Sequence, residues 1–176
     1  MLKIFVALLL VACFQGTAMA QTEERESNLK AAFIYNFTRY IEWEPSMEQN
    51  QFVIGVIGPT TVINPLREIA DQNFVKNKRI SIKYFSRPED IDYCNILFIS
   101  RHSSFQLPSI LTKINKGTVT ISEQAGFAKE GTAFNFVVIN DKLKFEANLR
   151  AITAAGVKAG SQLLKLAIIV EKQNEH

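Results

Sequence analysis

Apolar residues recur at helical intervals near the start of this chain, form unbroken runs in its middle, and alternate with polar residues towards its end. Over residues 24–43, Leu29, Ala32, Phe33, Phe37, Tyr40 and Ile41 return every three or four positions, which predicts an amphipathic helix. Glu23, Glu24 and Glu26 suit its positive N-terminal end, and Pro45 closes it. Ile34 and Trp43 widen the apolar surface to about half the circumference, more than one core contact requires. The helix is therefore either sunk in its own core or shared with a partner through Phe33, Ile34, Phe37, Tyr40 and Ile41.

The run Phe52-Val53-Ile54-Gly55-Val56-Ile57 has no polar interruption, as expected of a strand covered on both faces. Residues 61–71 supply a crossover helix with Pro65 in its first turn, where proline is tolerated. Strands are predicted over residues 79–85, 95–99 and 118–121, with a helix over residues 104–115 between the last two. Residues 133–139 and 143–147 alternate around Asn140-Asp141, an antiparallel hairpin with one face buried and Asn135 and Glu146 on its solvent face or serving as its polar contacts to a partner. Asn148 and Ser161 are placed to cap two short final helices. The pattern predicts an α/β fold: a single layered domain over residues 21–176, with a mostly parallel central sheet flanked by helices and a C-terminal antiparallel hairpin.

Residues 1–20 stand apart. Lys3, the apolar run from Ile4 to Ala12 and the small residues of Ala18-Met19-Ala20 follow the grammar of a cleavable secretory signal, so the mature chain begins at Gln21. Leu10-Val11-Ala12-Cys13 offers a competing lipoprotein cleavage box, but Cys13 lies very early for one. Export follows from either. The mature chain then keeps one thiol, Cys94, at the start of an apolar strand. Burial explains it, and an intermolecular bridge or a reactive role are the alternatives.

Composition mainly excludes. With 47% hydrophobic and 21% charged residues the chain is globular. A net charge of +3 with scattered signs gives no basic stripe, so nucleic acid is not a partner. Gly55-Val56-Ile57-Gly58 lacks the spacing of a dinucleotide loop. Two histidines and one mature cysteine build no zinc site, and no nucleophile–base pair is evident. The expectation is a binding protein, not an enzyme, with no metal and no cofactor. Ligands of open α/β sheets lie beyond the carboxyl ends of the strands. That rim draws on Gly58, Ser100, Arg101 and Ser122, with Thr60, His102 and Glu123 beside them. Phe127, in the turn-like Gly126-Phe127-Ala128, either tucks under as a lid or offers an aromatic anchor to a partner.

Lys30-Ala31-Ala32-Phe33-Ile34-Tyr35-Asn36-Phe37, running on to Trp43, resembles the opening of the YfiR-like family of exported proteins. The resemblance continues through Phe52 to Gly58, Cys94 to Ser100, Thr120-Ile121-Ser122, Gly126-Phe127-Ala128, Phe145 to Leu149 and Ser161 to Ala167. It implies a periplasmic regulator that binds and restrains the periplasmic region of a membrane diguanylate cyclase. An OmpA-like outer-membrane lipoprotein would relieve that restraint by sequestering it, and cyclic di-GMP output and biofilm formation would follow. Within this reading the N-terminal helix and Phe127 are the candidate contacts, and a homodimer is a rival use of the same surface. Members of the family often carry further cysteines that can form bridges. The mature chain here keeps Cys94 alone, which removes an intramolecular disulfide. The alternative is a periplasmic small-molecule-binding protein that uses the strand-end rim.

Overall fold

The computed structural model describes residues 21–44 and 50–170. The signal sequence, Cys13 and the Pro45 stop lie outside the described residues. The uninterrupted apolar runs become the centre of an eight-stranded sheet of order β10-β8-β7-β6-β5-β2-β4-β3. Its strands are β2 (Phe52–Ile57), β3 (Phe74–Val75), β4 (Lys78–Phe85), β5 (Ile96–Ile99), β6 (Val119–Ser122), β7 (Phe134–Ile139), β8 (Lys142–Ala147) and β10 (Ile168–Ile169). From β4 through β2, β5 and β6 to β7 all neighbours are parallel. The antiparallel hairpin β7–β8 continues the same sheet, with Phe136 opposite Phe145. The periodicity missed four short strands: β3, β10, and β1 (Ile41–Trp43) with β9 (Val157–Ala159), which form a separate antiparallel pair.

Helices cover both faces because both faces of the central strands are apolar. On one side lie α1 (residues 21–37), α2 (Ile63–Gln72), α5 (Leu149–Ala154) and α6 (Ser161–Leu166). They bury Ile34, Phe37, Leu66, Ile152 and Leu163 against Ile54, Val56, Phe98, Ile121 and Phe134. Phe37 is the hub: its ring centroid stands 4.9 Å from those of both Phe134 and Phe145. On the other side α3 (Leu107–Lys113) and the one-turn α4 (Phe127–Glu130) enclose Leu107, Ile110 and Phe127 with Val53, Ile57, Leu97 and Ile99. Gly55 is glycine for packing here. A Cβ would stand 2.7 Å from the Phe85 ring and 3.1 Å from Cys94 Sγ.

Local chemistry sets several boundaries as the sequence suggests. Asn140 and Asp141 both take positive φ, 51° and 58°, which makes the two-residue turn of the hairpin. Asn148 Oδ1 accepts from the Ala151 amide at 3.0 Å and caps α5. Three expectations need correction. The first helix ends at residue 37, because Ile41 and Trp43 are drawn into pairing with Ala159 and Val157. Ser161 does not cap α6: Gly160 occupies the cap, where its amide donates to Tyr40 O at 2.7 Å and a Cβ would come within 3.1 Å of that oxygen. Asn135 is not on a solvent face either. It is fully buried, accepting from Ser122 Oγ at 2.8 Å and donating to Glu146 Oε2 at 2.9 Å.

Candidate functional site

The strand order creates a natural crevice. From β2 the chain passes first to β4 on one side and then to β5 on the other, so the connections leaving β2 and β5 diverge. At such a switch point the carboxyl ends of the strands leave an opening. Its floor is the segment Gly58-Pro59-Thr60 after β2 and the 3-10 turn Arg101–Gln106 after β5. Gly58 is required there by conformation and by space: its φ is +84°, and a Cβ would collide with Ser103 Oγ and come within 2.7 Å of Ser100 Oγ.

The N-terminal turns of α1 lie across this rim and divide it. One cavity of about 770 Å³ is lined by Ser27, Lys30, Thr60, Thr61, Arg101 and His102, among others. A second of about 380 Å³ opens towards the hairpin and is lined by Gln124, Phe136, Val138 and Leu143. Glu26, Lys30, Arg101 and Glu123 border both. These four form a neutral quartet. Lys30 Nζ lies 2.6 Å from Glu26 Oε1 and 2.6 Å from Glu123 Oε2. The Lys30 and Glu123 side chains are each only 5% exposed, whereas Arg101 is 53% exposed and stands 3.7–3.8 Å from the two carboxylates. The Arg101 amide also donates to Glu123 Oε1 at 3.2 Å. Ser27 and Thr61 join α1 to the start of α2 through a 2.5 Å hydroxyl contact. His102 Nδ1 lies 3.1 Å from the Pro59 carbonyl, which calls for a proton on that nitrogen.

The structure separates the rim residues named from sequence. Arg101 and Glu123 line both cavities, and Thr60 and His102 line the larger one. Ser122 is fully buried, with its hydroxyl engaged by Thr132 at 2.8 Å and by Asn135, so it is a structural seam and not a ligand contact. Gly58 shapes the floor. Ser100 is fully buried, and its hydroxyl is the buried side-chain polar atom without a hydrogen-bond partner among the described residues. Lys30, Glu26 and Ser27 are site residues that the sequence reading did not assign, although Glu26 enters it as a helix N-terminal charge. Their signal is positional: they extend the stripe of Ala31, Ile34, Phe37 and Ile41 back by helical steps, so a buried polar end was readable.

The aromatic contacts also need correction. Ile34, Phe37 and Ile41 are no more than 1% exposed and Phe127 is 4% exposed, because all four fill the two cores. In this conformation they offer no surface to a partner, and a charge placed at Ile34 or Phe127 would be buried without a counter-ion and destabilise the fold. Phe33 is half-buried against Phe136 and Phe145, and Tyr40 is 41% exposed. With Leu29, 43% exposed, they make the outward side of α1 and the turn that follows it.

Catalytic chemistry finds no foothold in Cys94. Burial pushes its thiol up to about 12, so it stays protonated at neutral pH. Among the described residues no group of three or more His, Cys, Asp or Glu side chains could hold a metal ion, and no helix is long and apolar enough to cross a membrane.

Residues 27–168 match a family described as YfiR/HmsC-like. Among solved structures the chain is similar to a crystal structure from Bacteroides fragilis provisionally named an NADP oxidoreductase. The likeness covers 70% of this chain and 60% of that one, at 10% identity and a TM-score of 0.35. A likeness at that level assigns neither fold nor chemistry.

Proposed function

This chain belongs to the YfiR/HmsC-like family, and from that premise we propose that it is an exported regulator that binds and restrains the periplasmic region of a membrane diguanylate cyclase. The match over residues 27–168 is the observation that carries the reading. The physical mechanism is binding linkage. A domain that prefers one conformation of a receptor shifts that receptor by the ratio of its two affinities, and by nothing else. The contact we favour is the exposed side of α1 and the turn after it, with Leu29 and Tyr40 and the half-buried Phe33 beside them. An OmpA-like lipoprotein or a second copy of the chain would compete for this side, and so would set how much regulator is available to restrain cyclic di-GMP synthesis.

The test is a titration of the cyclase's periplasmic region with the full exported chain, paired with cyclic di-GMP measurement in cells. Leu29→Glu together with Tyr40→Glu should abolish binding and raise cyclic di-GMP while leaving the circular dichroism unchanged. Variants that fold and still repress would reassign the surface. A wild-type chain that neither binds nor lowers cyclic di-GMP would end the regulator reading.

A second reading is favoured by the larger rim cavity, whose volume of about 770 Å³ falls in the range of small-molecule sites. In that reading the chain is a periplasmic small-molecule-binding protein with Arg101 and His102 at the mouth. A thermal-shift screen of metabolites, repeated on Arg101→Ala, tests it: a shift lost in the variant supports the site, and a shift retained removes it.

A further inference from the structure

Away from the rim, exposed aliphatic side chains gather at one margin of the sheet. Leu149, Leu166, Ile168 and Ile169 are 43%, 73%, 37% and 44% exposed. They flank one sheet edge: β10 is the outermost strand and pairs with β8 at Glu146 and Ala147, with Ile168 and Ile169 on its two faces, and Leu149 opens α5 directly after β8. Exposed cations interleave with them: Arg150 follows Leu149 and Lys165 precedes Leu166. In β8, α5 and α6 the basic residues are Lys142, Lys144, Arg150 and Lys165, against Glu146 as the one acid. The Glu146 carboxylate already accepts from Asn135. The margin is therefore both apolar and positive.

Two kinds of partner would suit such a surface, and residue type separates them. Protein interfaces concentrate aromatic side chains at their centres and are depleted of lysine. Among the described residues of β8, α5, α6 and β10 no aromatic is exposed, and the charges sit on long flexible stems next to aliphatic tips. That composition suits an anionic lipid surface, with aliphatic groups at the acyl boundary and cations reaching the phosphates. We propose that the β8–β10 margin, with Leu149, Arg150, Lys165, Leu166, Ile168 and Ile169, is a membrane-contact surface for an anionic leaflet. The inference goes beyond the regulator reading, since it needs no receptor. It would nonetheless hold an exported chain beside membrane-bound targets and raise its effective concentration there.

Flotation of the full exported chain with vesicles tests this directly. Binding to phosphatidylcholine vesicles containing phosphatidylglycerol should exceed binding to pure phosphatidylcholine by about tenfold or more, and should fall as salt is added. Arg150→Glu with Lys165→Glu should remove the preference, and Leu166→Gln with Ile168→Gln should weaken attachment to anionic vesicles with the circular dichroism unchanged. Equal binding to the two vesicle types, or none to either, would overturn the inference. So would loss of receptor binding in the glutamine variant with vesicle binding intact, because the margin would then be a protein contact. A wild-type chain that floats with anionic vesicles but ignores the cyclase's periplasmic region leaves this inference standing and removes the regulator reading.

Discussion

At its C-terminal end α1 lays Ile34 and Phe37 into a cluster of phenylalanines from β7 and β8, while its N-terminal turns set Ser27 and Lys30 on a rim of hydroxyls and carboxylates. Both halves meet the same sheet, but the forces differ. Packing is short-ranged, is not screened by salt and is lost only when atoms part. The polar half depends on paired charges whose value changes whenever a neighbour, an ion or a ligand competes for either member. One helix thus combines a permanent anchor with an adjustable clasp, and the clasp is the half that separates the two rim cavities.

Removing the hub of the anchor should cost most. Phe37→Ala is expected to lose about 4 kcal/mol in urea or thermal unfolding, and a loss below about 1 kcal/mol would refute the idea that packing fixes this end. Lys30→Ala comes next, at about 3 kcal/mol, because it strands the buried Glu123 with only the more distant Arg101 for company. Replacing both partners, with Lys30→Met and Glu123→Leu, should recover most of that loss. If the double variant is no better than the single, the buried pair is not the source. Ser27→Ala should cost about 1 kcal/mol by unpairing Thr61. Arg101→Ala should cost about 0.5 kcal/mol or less and lose even that in high salt; a larger, salt-insensitive effect would make Arg101 part of the anchor.

Much of the fold could be read from local pattern. The runs around Ile54 and Leu97 are apolar on both faces, so they had to be central strands, and Asn140-Asp141 and Asn148 announce a turn and a cap by their own side-chain chemistry. Where two periods coincide, local reading fails. Tyr40 to Trp43 fits a helix continued from Phe37 and also a strand with Ile41 and Trp43 on one side, and pairing with β9 decides between them. On α1 the periodicity groups Phe33, Ile34, Phe37, Tyr40 and Ile41 as one face, whereas the deepest stripe runs through Lys30, Ala31, Ile34 and Phe37 and leaves Tyr40 exposed. Of the site, Arg101 and His102 were foreseeable from the strand-end rule. The Lys30–Glu123 pair was not, since it joins positions that only the completed sheet brings together.

Trp43, the single tryptophan of the chain, packs edge-on against Phe52 with centroids 5.1 Å apart and donates its indole N–H to Gly117 O at 2.8 Å. That places one native fluorophore in the β1–β9 pair, a site distinct from both the rim and the β8–β10 margin. Its emission therefore supplies an unlabelled optical readout of whether the small second sheet stays seated while another part of the molecule is being engaged.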